Sequence, residues 1–178
     1  LEFIRIKTQV LWALDGLNEE EVKKVILAYE PVWAIGQNEA AKAHFIPLFQ
    51  QGATLEDAAT LATVKTADIC DPFDVVVLGM GGDGHTASFF PEGDNLEIAL
   101  DLDEPREVLP MTAETAGEER LTFNLSALHD ARFLVLHIEG AAKLEAYEKA
   151  LSDLDEEEMP VRSVLNRADT KPVVYWAP

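Results

Sequence analysis

Asp74-Val-Val-Val-Leu-Gly-Met-Gly-Gly-Asp-Gly-His-Thr-Ala-Ser-Phe-Phe-Pro91 is the stretch that decides the fold. Val75 to Leu78 is a short apolar, β-branched run closed by Gly79, the pattern of a buried strand. The loop that follows holds Gly81, Gly82 and Gly84 around one acid, Asp83, and one imidazole, His85, and Thr86-Ala87-Ser88 is expected to open a helical turn. In open α/β sheets ligands bind beyond the carboxyl ends of the strands. Glycines at that place let backbone N–H groups face a substrate, and histidine exchanges a proton near neutral pH. The loop is therefore the candidate reaction centre.

Outward from it, apolar strands alternate with helical patterns. Towards the amino terminus, residues 3–15 have helical spacing, and Asn18 caps a turn rich in Glu19, Glu20 and Glu21. Val25 to Tyr29 reads as a strand, and Asn38 to Phe49 as a helix that Pro47 kinks or ends. Thr54 to Asp57 resembles a capping box for a helix through about Val64. Towards the carboxyl terminus, Glu107 to Met111 and Arg120 to Asn124 are extended, and Ser126 caps a short helix. Phe133 to Ile138 is a second apolar strand closed by Gly140. Ala141 to Leu151 is an amphipathic helix, Pro160 to Arg167 a short one, and Val173 to Trp176 a last strand. This alternation predicts an α/β, Rossmann-like layered fold with a largely parallel sheet flanked by helices, a single α/β domain over residues 1–178.

The chain has 178 residues, 48% of them hydrophobic, and a formal charge of −19. No run approaches the roughly 18 apolar residues of a membrane span. The acidity disfavours nucleic acid and anionic membranes as partners. Residues 1–36 carry a net −2 and the remainder −17, so an anionic ligand needs a local cluster of cations. The acidic run Asp153 to Glu158 reads as a solvated helix end or loop. Cys70 is the only cysteine, expected to pack at a strand entrance, and it points to a reducing, cytoplasmic setting. The first residues lack the pattern of a signal peptide and begin without Met, which suggests a fragment or a processed chain. His44, His129 and His137 show no metal-ligand spacing and read as structural. Trp12, Trp33 and Trp176 read as core.

His85 is the loop residue able to take a proton near pH 7, and the candidate general base. The alternative is a histidine that caps a helix or bonds to backbone. Asp83 either holds the imidazole tautomer and orients water, or makes an Asx-turn bond. The N–H groups of Gly81, Gly82 and Gly84 are candidate oxyanion donors, and a tight turn would equally explain the glycines.

From about Asn38 to Pro178 the chain resembles the 6-phosphogluconolactonase family of the pentose phosphate pathway. The carrying residues are Leu78 to Pro91, then Glu119-Arg-Leu-Thr-Phe-Asn124, Gly140-Ala-Ala-Lys143 and Val173-Val-Tyr-Trp-Ala-Pro178. The resemblance implies hydrolysis of 6-phospho-D-glucono-1,5-lactone, a small sugar-phosphate substrate, and no metal or cofactor. It also implies Arg120 and Lys143 as phosphate-binding cations, where each would otherwise read as a surface counter-charge. Lys24-Val-Ile-Leu-Ala-Tyr-Glu-Pro-Val-Trp-Ala-Ile-Gly36 instead resembles the triosephosphate isomerase strand that bears the catalytic glutamate, here Glu30. That match stops at Gly36, so isomerase activity is not expected and a chimeric or truncated chain is. The segment stands where the lactonase family has a Gly-Gly-Ser-Thr-Pro-like phosphate loop and an Asp-Glu-Arg-Trp-Val-Pro strand. The competing expectations are a lactone hydrolase, a catalytically silent hybrid scaffold, and a relative of glucosamine-6-phosphate deaminase.

Overall fold

In the computed structural model the strand ending at the glycine loop, β1 (Val75–Leu78), lies parallel to β4 (Phe133–Glu139), which in turn pairs in parallel with β5 (Val173–Ala177). The structure describes residues 46–49, 54–69, 71–152 and 155–178. The elements predicted over residues 3–29, together with Trp12, Trp33, His44 and Cys70, lie outside the described residues. So does most of the helix expected over 38–49, of which residues 46–49 are irregular.

The described sheet has the order β1-β4-β5. Successive strand residues point to opposite faces, so the consecutive burial of Leu134, Val135 and Leu136 means that both faces of β4 are covered. Around them, α2 (Leu96–Leu100), α3 (Leu125–Leu128), α4 (Ala141–Ala150) and α5 (Val161–Arg167) supply Leu96, Leu125, Ala146 and Val164 to the main core. Parallel strands flanked by helices are the α/β architecture read from the sequence.

A second unit packs beside it. β2 (Val108–Met111) and β3 (Arg120–Phe123) pair antiparallel, Met111 opposite Arg120, around a 3₁₀ turn at Glu114–Ala116. Helix α1 (Leu55–Thr66) begins at Thr54, whose hydroxyl accepts from the Asp57 N–H, and runs two residues past the expected end. Its Ala58, Ala59 and Ala62 bury against Val108 and Leu121. Small side chains let the helix approach closely enough for the Val108 N–H to donate to Thr63 Oγ1 at 2.8 Å.

Three expectations need correction. Residues 86–88 form no helix: Thr86 and Phe89 make a lone antiparallel bridge, and Ala87 takes φ 49°. The cap of α3 is Asn124, not Ser126. The fully buried Asn124 amide oxygen accepts from the Ala127 N–H at 3.2 Å, and its amide nitrogen donates to the Pro105 carbonyl at 2.7 Å. Trp176 is 44% exposed rather than core, because β5 is an edge of the described sheet, and its indole N–H donates to the Gly140 carbonyl. In the acidic run, exposed Glu158 pairs with Lys149 at 2.8 Å and with Arg162 at 3.0 Å.

Arg106 and Asp130 meet at two points, Nη1–Oδ1 2.9 Å and Nη2–Oδ2 2.5 Å. Burial alone would raise the Asp130 carboxyl, but the paired guanidinium outweighs it and holds the group below its ordinary range. A depressed folded-state pKa gives stability that is present above the unfolded value and lost as pH falls through the folded one. Asp130→Asn should therefore cost about 1 kcal/mol near neutral pH. Urea midpoints of the two proteins should converge as the pH falls through the lowered carboxyl range; a gap that persists in acid would sink this account.

Candidate active site

Because β1 and β4 run parallel, with Leu78 opposite Leu136, the loops that follow them emerge at the same edge of the sheet. The first is the glycine loop. The buried Thr86 hydroxyl donates to the Gly79 carbonyl at 2.7 Å, which pulls the two ends of the loop together. Within it, the Gly81 N–H donates to the His85 carbonyl at 2.7 Å and the Gly84 N–H to the Gly81 carbonyl at 3.1 Å. The Gly84 carbonyl accepts from the Val161 N–H at 2.8 Å, which anchors the loop to the first turn of α5.

Inside this frame Asp83 Oδ1 accepts twice from one residue: from the His85 backbone N–H at 3.1 Å and from ring Nδ1 at 2.6 Å. The turn-forming and imidazole-holding alternatives for Asp83 thus coexist. Burial alone would raise the Asp83 carboxyl, but the His85 backbone bond and the charge of the ring outweigh it and lower the group. An ionised carboxylate only accepts hydrogen bonds, so the proton on a neutral ring is assigned to Nδ1 and Nε2 is left as the basic nitrogen. The ring is not turned into the core: the side chains of His85 and Asp83 are 32% and 33% exposed. The Phe90 ring packs on the imidazole, centroids 4.4 Å apart and planes at 37°.

Two glycines are required at their positions. A Cβ on Gly81 would fall 2.2 Å from His85 Nδ1 and 2.3 Å from Asp83 Oδ1. Gly84 has φ +84°, and its Cβ would meet Met159 at 2.7 Å. Their N–H groups are engaged inside the loop, which corrects the expectation that both face a ligand. Gly82 is the exposed glycine of the three, with open space where a Cβ would stand.

Lys143 comes to the same place. It lies in the first turn of α4, after β4 and the positive-φ Gly140, and its ammonium donates to the Met80 carbonyl. Arg120 begins β3; its guanidinium donates to the Ala116 carbonyl at 3.3 Å and lies 3.3 Å from Glu118 Oε1. The link from β3 to the glycine loop runs through Thr122, whose hydroxyl accepts from the Ser88 N–H at 3.3 Å. Lys143, Asp83 and His85 are thus brought to one sheet edge, whereas these partners of Arg120 belong to its own turn. Sequence reasoning missed Phe90, Thr122 and Met159, since close packing against a loop leaves no periodic signal. Of the other histidines, half-buried His129 has Nδ1 3.5 Å from Asp169, and half-buried His137 is in β4. Among the described residues no three His, Cys, Asp or Glu side chains are grouped to hold a metal ion, and no helix is long and apolar enough to cross a membrane.

The family described as glucosamine-6-phosphate isomerases/6-phosphogluconolactonase matches residues 18–176. A 6-phosphogluconolactonase of Rhizobium meliloti is 56% identical over 139 residues, 78% of this chain and 60% of that protein. One of Mesorhizobium japonicum is 45% identical over 142 residues, 80% of this chain and 59% of that protein. The crystal structure of a 6-phosphogluconolactonase from Shewanella baltica superposes with a TM-score of 0.72 at 39% identity, over 80% of this chain and 60% of that one. The chain thus spans about 60% of the length of these relatives.

Gly81→Ala should lower stability by about 1–3 kcal/mol, since the added methyl has to displace the Asp83–His85 pair. Gly82→Ala should stay within about 0.5 kcal/mol. Equal effects of the two in urea titrations would mean that the loop is not packed this closely in solution.

Proposed function

The chain belongs to the glucosamine-6-phosphate isomerase/6-phosphogluconolactonase family, and we propose that it hydrolyses 6-phospho-D-glucono-1,5-lactone to 6-phosphogluconate. The observation that carries this reading is the carboxylate–imidazole pair of Asp83 and His85, 2.6 Å apart on a partly open loop. In this reading His85 Nε2 removes a proton from water as the water oxygen attacks the lactone carbonyl carbon, while Asp83 steadies the imidazolium that forms. The carbonyl oxygen becomes an oxyanion and takes a hydrogen bond from the Gly82 N–H, a contribution of about 3 kcal/mol. When the tetrahedral intermediate collapses, the bond from the carbonyl carbon to the ring oxygen breaks, and His85 returns its proton to that oxygen. The acid product ionises to the carboxylate.

Lys143 is the proposed first phosphate ligand and Arg120 the second. Both are cations on a strongly acidic chain of formal charge −19, where an anionic substrate needs local positive charge. Lys143 reaches the phosphate by giving up the Met80 carbonyl, a neutral acceptor that a phosphate oxygen outcompetes.

The second reading is a silent hybrid scaffold with a triosephosphate isomerase-like segment over residues 1–36. It rests on the Lys24–Gly36 resemblance. The family match starts at residue 18 and takes in half of that segment.

Lactone hydrolysis measured against the spontaneous rate separates the two. His85→Ala should lower kcat by about 10²–10⁴-fold, and Lys143→Met should raise KM about tenfold or more, with a smaller effect on kcat. Turnover of the parent protein no faster than buffer, or equal rates for parent and His85→Ala, would overturn the hydrolase reading; ammonia release from glucosamine 6-phosphate would turn it towards the deaminases.

A further inference from the structure

We propose that Phe90 is the positioning residue for the His85 imidazole, a role that rests on His85 being the base of the proposed hydrolysis. The covalent bond at Cγ and the hydrogen bond from Nδ1 to Asp83 hold one edge of the ring and leave it able to tilt about that edge. Phe90 removes this freedom: its ring lies 4.4 Å from the imidazole, centroid to centroid, at 37°. Phe90 is itself immobilised, 5% exposed within the main core, with its carbonyl accepting from the Gly93 N–H at 3.0 Å. The imidazole is therefore held by a carboxylate at one nitrogen and by a core side chain on its face.

The backbone between the two residues exists in the form that makes this contact. In a helix, residues five apart point about 140° away from each other, so the helical turn expected at Thr86–Ser88 would have carried Phe90 away from His85. The observed Thr86–Phe89 bridge, with Ala87 in the left-handed region, reverses the chain and returns Phe90 over the ring. An imidazolium formed during turnover would also meet the π face of that ring at cation–π distance.

The test compares Phe90→Leu with Phe89→Leu, since Phe89 is fully buried in the same core and precedes Phe90 directly. Phe90→Tyr, which keeps the ring, is the conservative variant. Phe90→Leu should lower kcat for the lactone about tenfold with KM within about twofold, a transition-state effect, whereas Phe89→Leu should lower the urea midpoint and leave kcat within about twofold. In ¹⁵N-edited spectra the His85 Nδ1–H signal should stay sharp in the parent, Phe90→Tyr and Phe89→Leu, and broaden in Phe90→Leu. Parent-like kcat and Nδ1–H signal in Phe90→Leu, or an equal kcat loss in Phe89→Leu, would overturn the role of Phe90; so would a folded Phe90→Tyr with a tenfold loss. A parent protein without turnover, but with the spectral contrast intact, would overturn the hydrolase reading and leave the positioning contact standing.

Discussion

Oδ1 of Asp83 accepts from both the main-chain N–H and the ring Nδ1 of His85, and the neighbouring structure is shaped by the space that this pair of hydrogen bonds requires. An acceptor two residues before its donor has to be folded back over the loop, which brings the Gly81 backbone to within van der Waals range of the pair and forbids a side chain there. Folding the loop back also forces Gly84 into a left-handed conformation with no room beside Met159. Gly81 follows from the carboxylate–imidazole contact and Gly84 from its positive φ beside Met159, so at these two positions the local sequence is fixed by geometry.

The support behind this loop comes from α5. Arg162 is 1% exposed, and a buried cation is tolerated only where its donors are met. Its guanidinium donates to the carbonyls of Ala150 at 3.1 Å and Asp155 at 2.7 Å and to Glu158 at 3.0 Å, which joins the end of α4 to the approach of α5. The preceding residue, Val161, gives its N–H to Gly84. α4, which carries Lys143 in its first turn, is thus tied at its far end to Arg162, the neighbour of the residue that holds the histidine loop.

Much of this was legible in the chain. The apolar runs at Val75–Leu78 and Phe133–Glu139 and the alternation of strand and helix patterns lead to the parallel sheet, because burial on both faces writes a continuous apolar signature. Asp83 and His85 were visible because titratable residues among glycines have few structural reasons to be there. Other features left weaker marks. Ser126 is an ordinary capping residue, yet Asn124 displaced it because its amide also had to satisfy Pro105 and Glu107. The turn at Thr86–Phe89 was hidden because Ala87 is a good helix former that tertiary packing forces to positive φ, a strain of about 1–2 kcal/mol. Trp176 misled because large size usually signals burial, and only the strand order reveals that β5 is an edge of the described sheet. Which glycine N–H groups are already bonded is a three-dimensional fact with no counterpart in composition or period.

β3 is a shared wall. Its Leu121 closes the cluster under α1, while the next residue, Thr122, holds Ser88 in the stretch leading to Phe90, and Phe123 crosses Phe73 edge-on at 5.3 Å. α1 and the histidine loop thus rest on opposite sides of one partition. The alanines of α1 touch nothing reactive, yet they back the strand whose Thr122 fastens Ser88 in the stretch between His85 and Phe90.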